Sequence, residues 1–137
     1  VCLVYGGRTS SELVGLGDFQ ALGLSIHTAT EDGSSGFRGL VTGALEPILS
    51  RPVKESFNLY TCGPNPMMEA VSRLAAKHGI PCQISVEIKM ACGFGVCLGC
   101  AVKTTCGNRL ACSHGPVFEA SEFIWEDFRG NGGETNA

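Results

Sequence analysis

The chain has 137 residues, 44% of them hydrophobic, with ten basic and thirteen acidic side chains and a formal net charge of -3. This is enough for one compact domain, or one domain with a small appendage, and too apolar for a solvated tail or a coiled coil. The scattered cations leave no electrostatic footprint for nucleic acid, and the short apolar runs fall well below the roughly 20 residues that cross a bilayer.

Residues 1–7, VCLVYGG, read as a buried strand that stops at Gly6 and Gly7. TSSELVGLGDF offers Ser and Thr as caps for a short helix, and LGLSIHTAT is a second strand, followed by a turn-rich loop, EDGSSGFRG. In LVTGALEPILS, Leu40, Val41, Ala44, Leu45, Ile48 and Leu49 fall on one helical face. FNLYTCGP is a strand ending at Gly63 and Pro64. NPMMEAVSRLAAKHG is a helix with Asn65 at its start and Gly79 at its end, and PCQISVE is the next strand. Strands spaced by helices imply crossover connections, and so a parallel sheet with helices on its faces.

Past Glu87 the texture changes to Cys- and Gly-rich loops with short strand candidates, CAVKT, RLAC and PVFEA. A boundary is expected between residues 83 and 90. Residues 129–137 lack an apolar pattern and are expected to form a disordered tail. Val1 lies directly inside the first strand, so a preceding segment is expected to be lost or supplied elsewhere. A soluble protein of the reducing cytoplasm, without a leader, is the expectation.

Five of the eight cysteines lie between Cys92 and Cys112, too close together to staple a fold and well placed to meet at one centre. In ACGFGVCLGC, four residues separate Cys92 from Cys97 and two separate Cys97 from Cys100, the plant-type [2Fe-2S] spacing. Gly93, Gly95 and Gly99 belong to this signal. Without Cβ, the backbone can approach closely, adopt positive φ and turn N–H groups toward negative sulfur.

A fourth thiolate has two candidates downstream. Cys112 follows a strand candidate and precedes a Gly-Pro turn, where the chain can return to the loop. Cys106, beside Gly107 and Asn108, has the setting of a hairpin tip, pointing away from the first three ligands. The competing readings are an all-thiolate zinc site, which leaves Cys92 without a role, and disulfides or a set of inert structural thiols with no centre. His114 reads as a loop residue, His27 as a strand residue and His78 as a helix C-terminal cation. No side chain stands out as a catalytic acid, base or nucleophile.

The YTCGPNPMMEAV turn places a Gly and a helix start at a strand end, where open parallel sheets take their ligands. Its plain alternative is a tight turn with Met67 and Met68 as core filler. CGPNPMMEAV, EIKMACGFGVCLGCAVKT and RLACSHGPVF together resemble the C-terminal half of the electron-transfer subunits of NAD-dependent dihydroorotate dehydrogenase, within the ferredoxin reductase superfamily, over residues 1–128.

The resemblance implies an α/β fold. Residues 1–82 would be the C-terminal part of a ferredoxin-reductase-type NAD-binding parallel sheet, and residues 83–128 a small, mostly β, [2Fe-2S] domain. It implies Cys92, Cys97, Cys100 and Cys112 as cluster ligands. Gly6, Gly7, Arg8, Asp32, Gly33, Cys62, Gly63 and Pro64 would approach NAD, with the Arg8 guanidinium suited to phosphate oxygens. The implied partner is an FMN-containing catalytic subunit in a hetero-oligomer that makes pyrimidines. Electrons would run from FMN through the cluster to FAD and on to NAD+.

The family's FAD barrel, the first strand of its NAD domain and the glycine-rich loop after that strand have no counterpart in these residues. The chain therefore reads as a fragment that does not turn over a nicotinamide cofactor alone. The alternatives are a reductase subunit of a hydrogenase, sulfite reductase or ferredoxin-NADP transhydrogenase and, from another class, a zinc-stabilised binding module.

Overall fold

The computed structural model describes residues 1–51 and 57–128, so the tail expected at 129–137 lies outside the described residues. Two compact units divide the chain, Val1–Val53 and Lys54–Ala137. Among the described residues no helix is long and apolar enough to cross a membrane.

In the first unit β1 (Cys2–Gly7) pairs in parallel with β2 (Ser25–Thr30), and β2 pairs in parallel with β3 (Phe37–Arg38). The 3-10 turn Ser10–Glu12 and α1 (Leu16–Ala21) connect β1 to β2. The cap expected from Ser or Thr is absent: α1 starts from Gly15 at φ 74, and Thr9 makes no side-chain cap before the 3-10 turn. A strand as short as β3, flanked by glycines, carries no alternation by which it can be recognised. Gly36 nevertheless has a strict role, because at φ 66 a Cβ there would stand 2.1 Å from the Thr28 carbonyl oxygen.

Helix α2 (Val41–Leu49) buries Leu45 and Leu49, and Leu13, Ala29 and Thr30 are also buried in this unit. Leu40 is 65% exposed, outside the face expected for it, because it is the residue that precedes the helix. Val41 takes the contact: a Cβ on Gly6 would stand 2.1 Å from its Cγ1. Gly6 is therefore required for helix-to-strand packing, independent of any ligand.

The second unit holds β4 (Leu59–Cys62), α3 (Asn65–Lys77) and β5 (Cys82–Ser85), a parallel strand pair joined by a helix. Helix α3 closes as the sequence implies. Gly79, at φ 66, donates to the Ala76 carbonyl at 3.1 Å and Ile80 donates to the Ala75 carbonyl at 3.0 Å, which satisfies the last carbonyls with a left-handed residue. Glu69 on this helix is buried and paired with Arg73 one turn on, at 2.7 Å.

β8 (Val117–Glu119) joins β5 antiparallel, with Gln83 bonded to Glu119 across the pair. The sheet thus continues across the change in composition near residue 83. Between β5 and β8 lie the cysteine loop, the hairpin β6 (Ala101–Thr104) and β7 (Gly107–Leu110), and a one-turn helix, α4 (Ala111–His114). α5 (Trp125–Phe128) ends the described chain. Met68, Ile84, Val86, Val102, Phe118, Phe123, Trp125 and Phe128 form one core, which also contains Cys100 and Ala111.

Candidate functional site

The cysteine loop occupies residues 92–100 without regular structure, and its conformation follows from its small residues. Gly93 and Gly95 adopt φ of 75 and 87. The third left-handed position is Leu98 at φ 58, the only non-glycine residue with positive φ among the described residues, not Gly99. Gly99 instead supplies a close approach, for the Cys97 sulfur lies 3.5 Å from where its Cβ would stand and accepts its N–H at 3.5 Å.

These turns aim backbone N–H groups at sulfur. The Cys92 thiol is held down to about 6, first by the N–H of Cys97, then by that of Phe94 and by the Cys97 thiol. Cys100 and Cys112 stand with their sulfurs 3.2 Å apart. Cys100 is lowered, chiefly by the N–H of Cys112, while Cys112 is raised, first by its hydrogen bond with the Cys100 thiol and then because burial opposes its ionisation. Cys112 also receives the N–H of Gly95 and feels the negative charge of Cys92, so the first and fourth thiols face one another across the loop.

The four sulfurs therefore gather as two pairs, Cys92 with Cys97 and Cys100 with Cys112. Among the described residues no three His, Cys, Asp or Glu side chains surround a single-ion position. Thiolates are the ligating form, and crowding several of them requires both a cation and the inward N–H groups seen here.

Cys112 reaches this centre from α4, not from the strand end that RLAC led us to expect. The strand stops at Leu110 and one helical turn carries the sulfur back to Cys100. Short apolar runs do not distinguish the two forms. Cys106 is an exposed residue of the two-residue turn that closes β6 and β7. Cys100 and Ala111 flank the opposite end of that hairpin, five residue steps or roughly 17 Å from the turn at the usual strand rise. His114, expected in a loop, is instead the last residue of α4 and accepts the Leu110 N–H through Nδ1 at 3.1 Å. Around the thiols Phe94, Val96 and Leu98 point outward, 72%, 72% and 64% exposed.

The nucleotide candidates fall into two groups. In the first unit Gly6 and Gly7 end β1, and Arg8 follows them. Asp32 and Gly33 follow β2, and the two turns are tied side by side by Glu31 N–H to the Gly7 carbonyl and Asp32 N–H to the Arg8 carbonyl, both at 3.2 Å. Asp32 is held below the ordinary carboxylate range by the Ser34 hydroxyl at 2.6 Å and the Ser34 N–H at 2.9 Å. In the second unit Cys62 ends β4, Gly63 turns at φ 142 and Pro64 precedes α3. Cys62 and Glu87 approach at 3.8 Å.

One residue missed in the sequence is Glu12. Its carboxylate accepts the Arg8 N–H at 2.7 Å and pairs with the Arg8 guanidinium at 3.6 Å. An acidic residue four positions after a basic one is the only trace it leaves in the sequence.

Residues 87–124 match the family described as the iron-sulfur cluster binding domain of dihydroorotate dehydrogenase B. The chain is 42% identical over 111 residues to the dihydroorotate dehydrogenase B (NAD(+)) electron transfer subunit of Caldanaerobacter subterraneus subsp. tengcongensis, covering 78% of this chain and 43% of that one. Identity to the subunit of the same name from Clostridium acetobutylicum is 44% over 102 residues, 74% of this chain and 39% of the other. A solved chain from an NADH-dependent reduced ferredoxin-NADP oxidoreductase superposes with a TM-score of 0.79 at 27% identity, over 95% of this chain and 46% of that one. The chain thus spans less than half the length of each of these proteins. With its α/β architecture, its cluster-binding segment and this degree of identity, it belongs to the family of dihydroorotate dehydrogenase B electron transfer subunits.

Proposed function

We propose that this chain is the cluster-bearing and nucleotide-facing part of an electron-transfer subunit, serving a cytoplasmic complex that oxidises dihydroorotate and reduces NAD+. The observation that carries this reading is the pairing of four thiols under inward-facing N–H groups. Cys92, Cys97, Cys100 and Cys112 would hold a [2Fe-2S] cluster, two thiolates to each iron, within residues 83–128. A bound cluster supplies one-electron storage. The protein's own contribution is to neutralise thiolate charge with N–H dipoles and to keep the site compact.

In the first unit the strand-end turns of Gly6, Gly7 and Arg8 and of Asp32 and Gly33 would receive NAD; in the second unit Cys62, Gly63 and Pro64 are the nucleotide candidates the family implies. The family implies FAD between cluster and NAD. An FMN-containing catalytic subunit is the proposed donor, and the exposed Phe94, Val96 and Leu98 give it an apolar surface beside the cluster loop. Likeness to the ferredoxin-NADP oxidoreductase chain supports a second reading, a reductase subunit with a different redox partner. Co-purification from the native source distinguishes the two, since only the first brings down an FMN protein that oxidises dihydroorotate.

Anaerobically purified protein is expected to be brown, with about two iron and two sulfide per chain and an EPR signal on reduction. Stoichiometric zinc without visible absorbance in freshly folded protein overturns the cluster assignment.

A further inference from the structure

The turn after β1 has the makings of an anion site: it lies at the carboxyl end of a parallel strand, follows two glycines and carries an arginine. Yet the chain supplies the anion itself. Glu12, on the 3-10 turn Ser10–Glu12, returns its carboxylate to the Arg8 N–H at 2.7 Å and to the guanidinium at 3.6 Å. Gly7 permits this, because a Cβ there would stand 3.1 Å from the Glu12 Cβ and 3.5 Å from its Oε2. Neighbouring bonds hold the turn in place: Glu12 N–H reaches the Thr9 carbonyl at 3.1 Å, and Ser10 N–H reaches the Ser34 hydroxyl beside Asp32 at 2.7 Å.

A phosphate and a hydroxyl meet this arrangement differently. A phosphate ester of charge about -1.5 to -2 would compete with Glu12 for the same donors while lying against its charge. A ribose hydroxyl instead donates to a carboxylate, the way an acidic residue after a strand reads an unmodified ribose in open α/β sheets. We propose that Glu12 sets nucleotide preference, admitting a dinucleotide whose adenosine ribose is unmodified and rejecting one with a 2′-phosphate. This rests on the assignment of the β1 and β2 turns to a nicotinamide dinucleotide.

The test titrates NAD+ and NADP+ into the purified chain and into Glu12→Gln and Glu12→Asp, with affinities from calorimetry and amide shifts of Gly7 and Arg8 from NMR. Wild type is expected to favour NAD+. Glu12→Gln should narrow the NAD+ to NADP+ ratio about tenfold, mainly by tighter NADP+, as expected for removing one charge about 5 Å from a phosphate in water. Glu12→Asp keeps the charge and should keep the preference. An unchanged ratio in Glu12→Gln, with NAD+ still shifting Gly7 and Arg8, overturns the role of Glu12 and leaves the nucleotide site standing. Equal relaxation in Gln and Asp variants assigns the effect to local geometry and also overturns it. Failure of either nucleotide to shift those amides in wild type overturns both readings.

Discussion

Cys112→Ser is expected to lose or strongly perturb the iron-sulfur centre, whereas Cys106→Ser leaves iron content, visible spectrum and EPR signal as in the unaltered protein. The two cysteines are six positions apart and lie at opposite ends of one hairpin. Cys112 stands 3.2 Å from Cys100, sulfur to sulfur, and receives the Gly95 N–H from the first half of the loop. Cys106 sits in the exposed turn between Thr104 and Gly107, its N–H going to the Thr104 hydroxyl at 3.3 Å. No rotamer closes a gap of roughly 17 Å along the strands. In the proposed assignment each iron would draw two thiolates from the protein, so removal of one would leave an incomplete coordination shell beside a buried partner, Cys100, at 2% exposure. Iron and sulfide assays on the two variants, purified anaerobically, decide the matter. Full occupancy in Cys112→Ser with loss in Cys106→Ser would refute the hairpin geometry.

This contrast between neighbours is one that local pattern already implied. Thiol spacing and glycine content depend on adjacent residues, so the loop and the tip position of Cys106 follow from short range alone. The parallel strand pairs and the Gly79 stop of α3 follow in the same way, from periodicity and from a residue type suited to a left-handed cap. What local pattern does not carry is tertiary choice. Leu98 takes φ 58 because the loop must turn its N–H groups inward at that point, a demand that no preference of leucine announces. Gly6 is explained by Val41, some 35 positions away, and the edge strand β8 by its pairing with β5. Glu12 escaped notice because its partner is a backbone N–H, which has no signature in sequence.

The aromatic nest beneath the centre links packing to cofactor retention, and Phe123→Ala is the substitution expected to expose that link. Phe123 is 6% exposed, with ring centroids 4.8 Å from Phe128, 5.0 Å from Trp125 and 6.1 Å from Phe118. The core containing these rings also contains Cys100 and Ala111, with Leu110 and Cys112 packed against it. Truncation removes most of a ring from a site that cannot collapse without moving three others, a cost of about 3–5 kcal/mol. Against a typical domain stability of about 5–15 kcal/mol this is a large share. With a urea dependence of about 1–3 kcal/mol/M, the midpoint should fall by roughly 2 M. Because bound metal adds its own free energy to the folded state, the loaded protein should withstand the change better than protein stripped by chelator. Iron should also leave faster, since the floor under Cys100 and Cys112 is loosened. Phe123→Leu keeps much of the volume and should cost about 1–2 kcal/mol. Urea melts of both variants with and without iron, together with the rate of iron capture by a chelator, measure these terms. A loss below about 1 kcal/mol in Phe123→Ala with unaltered iron release would mean that the aromatic core does not support the centre.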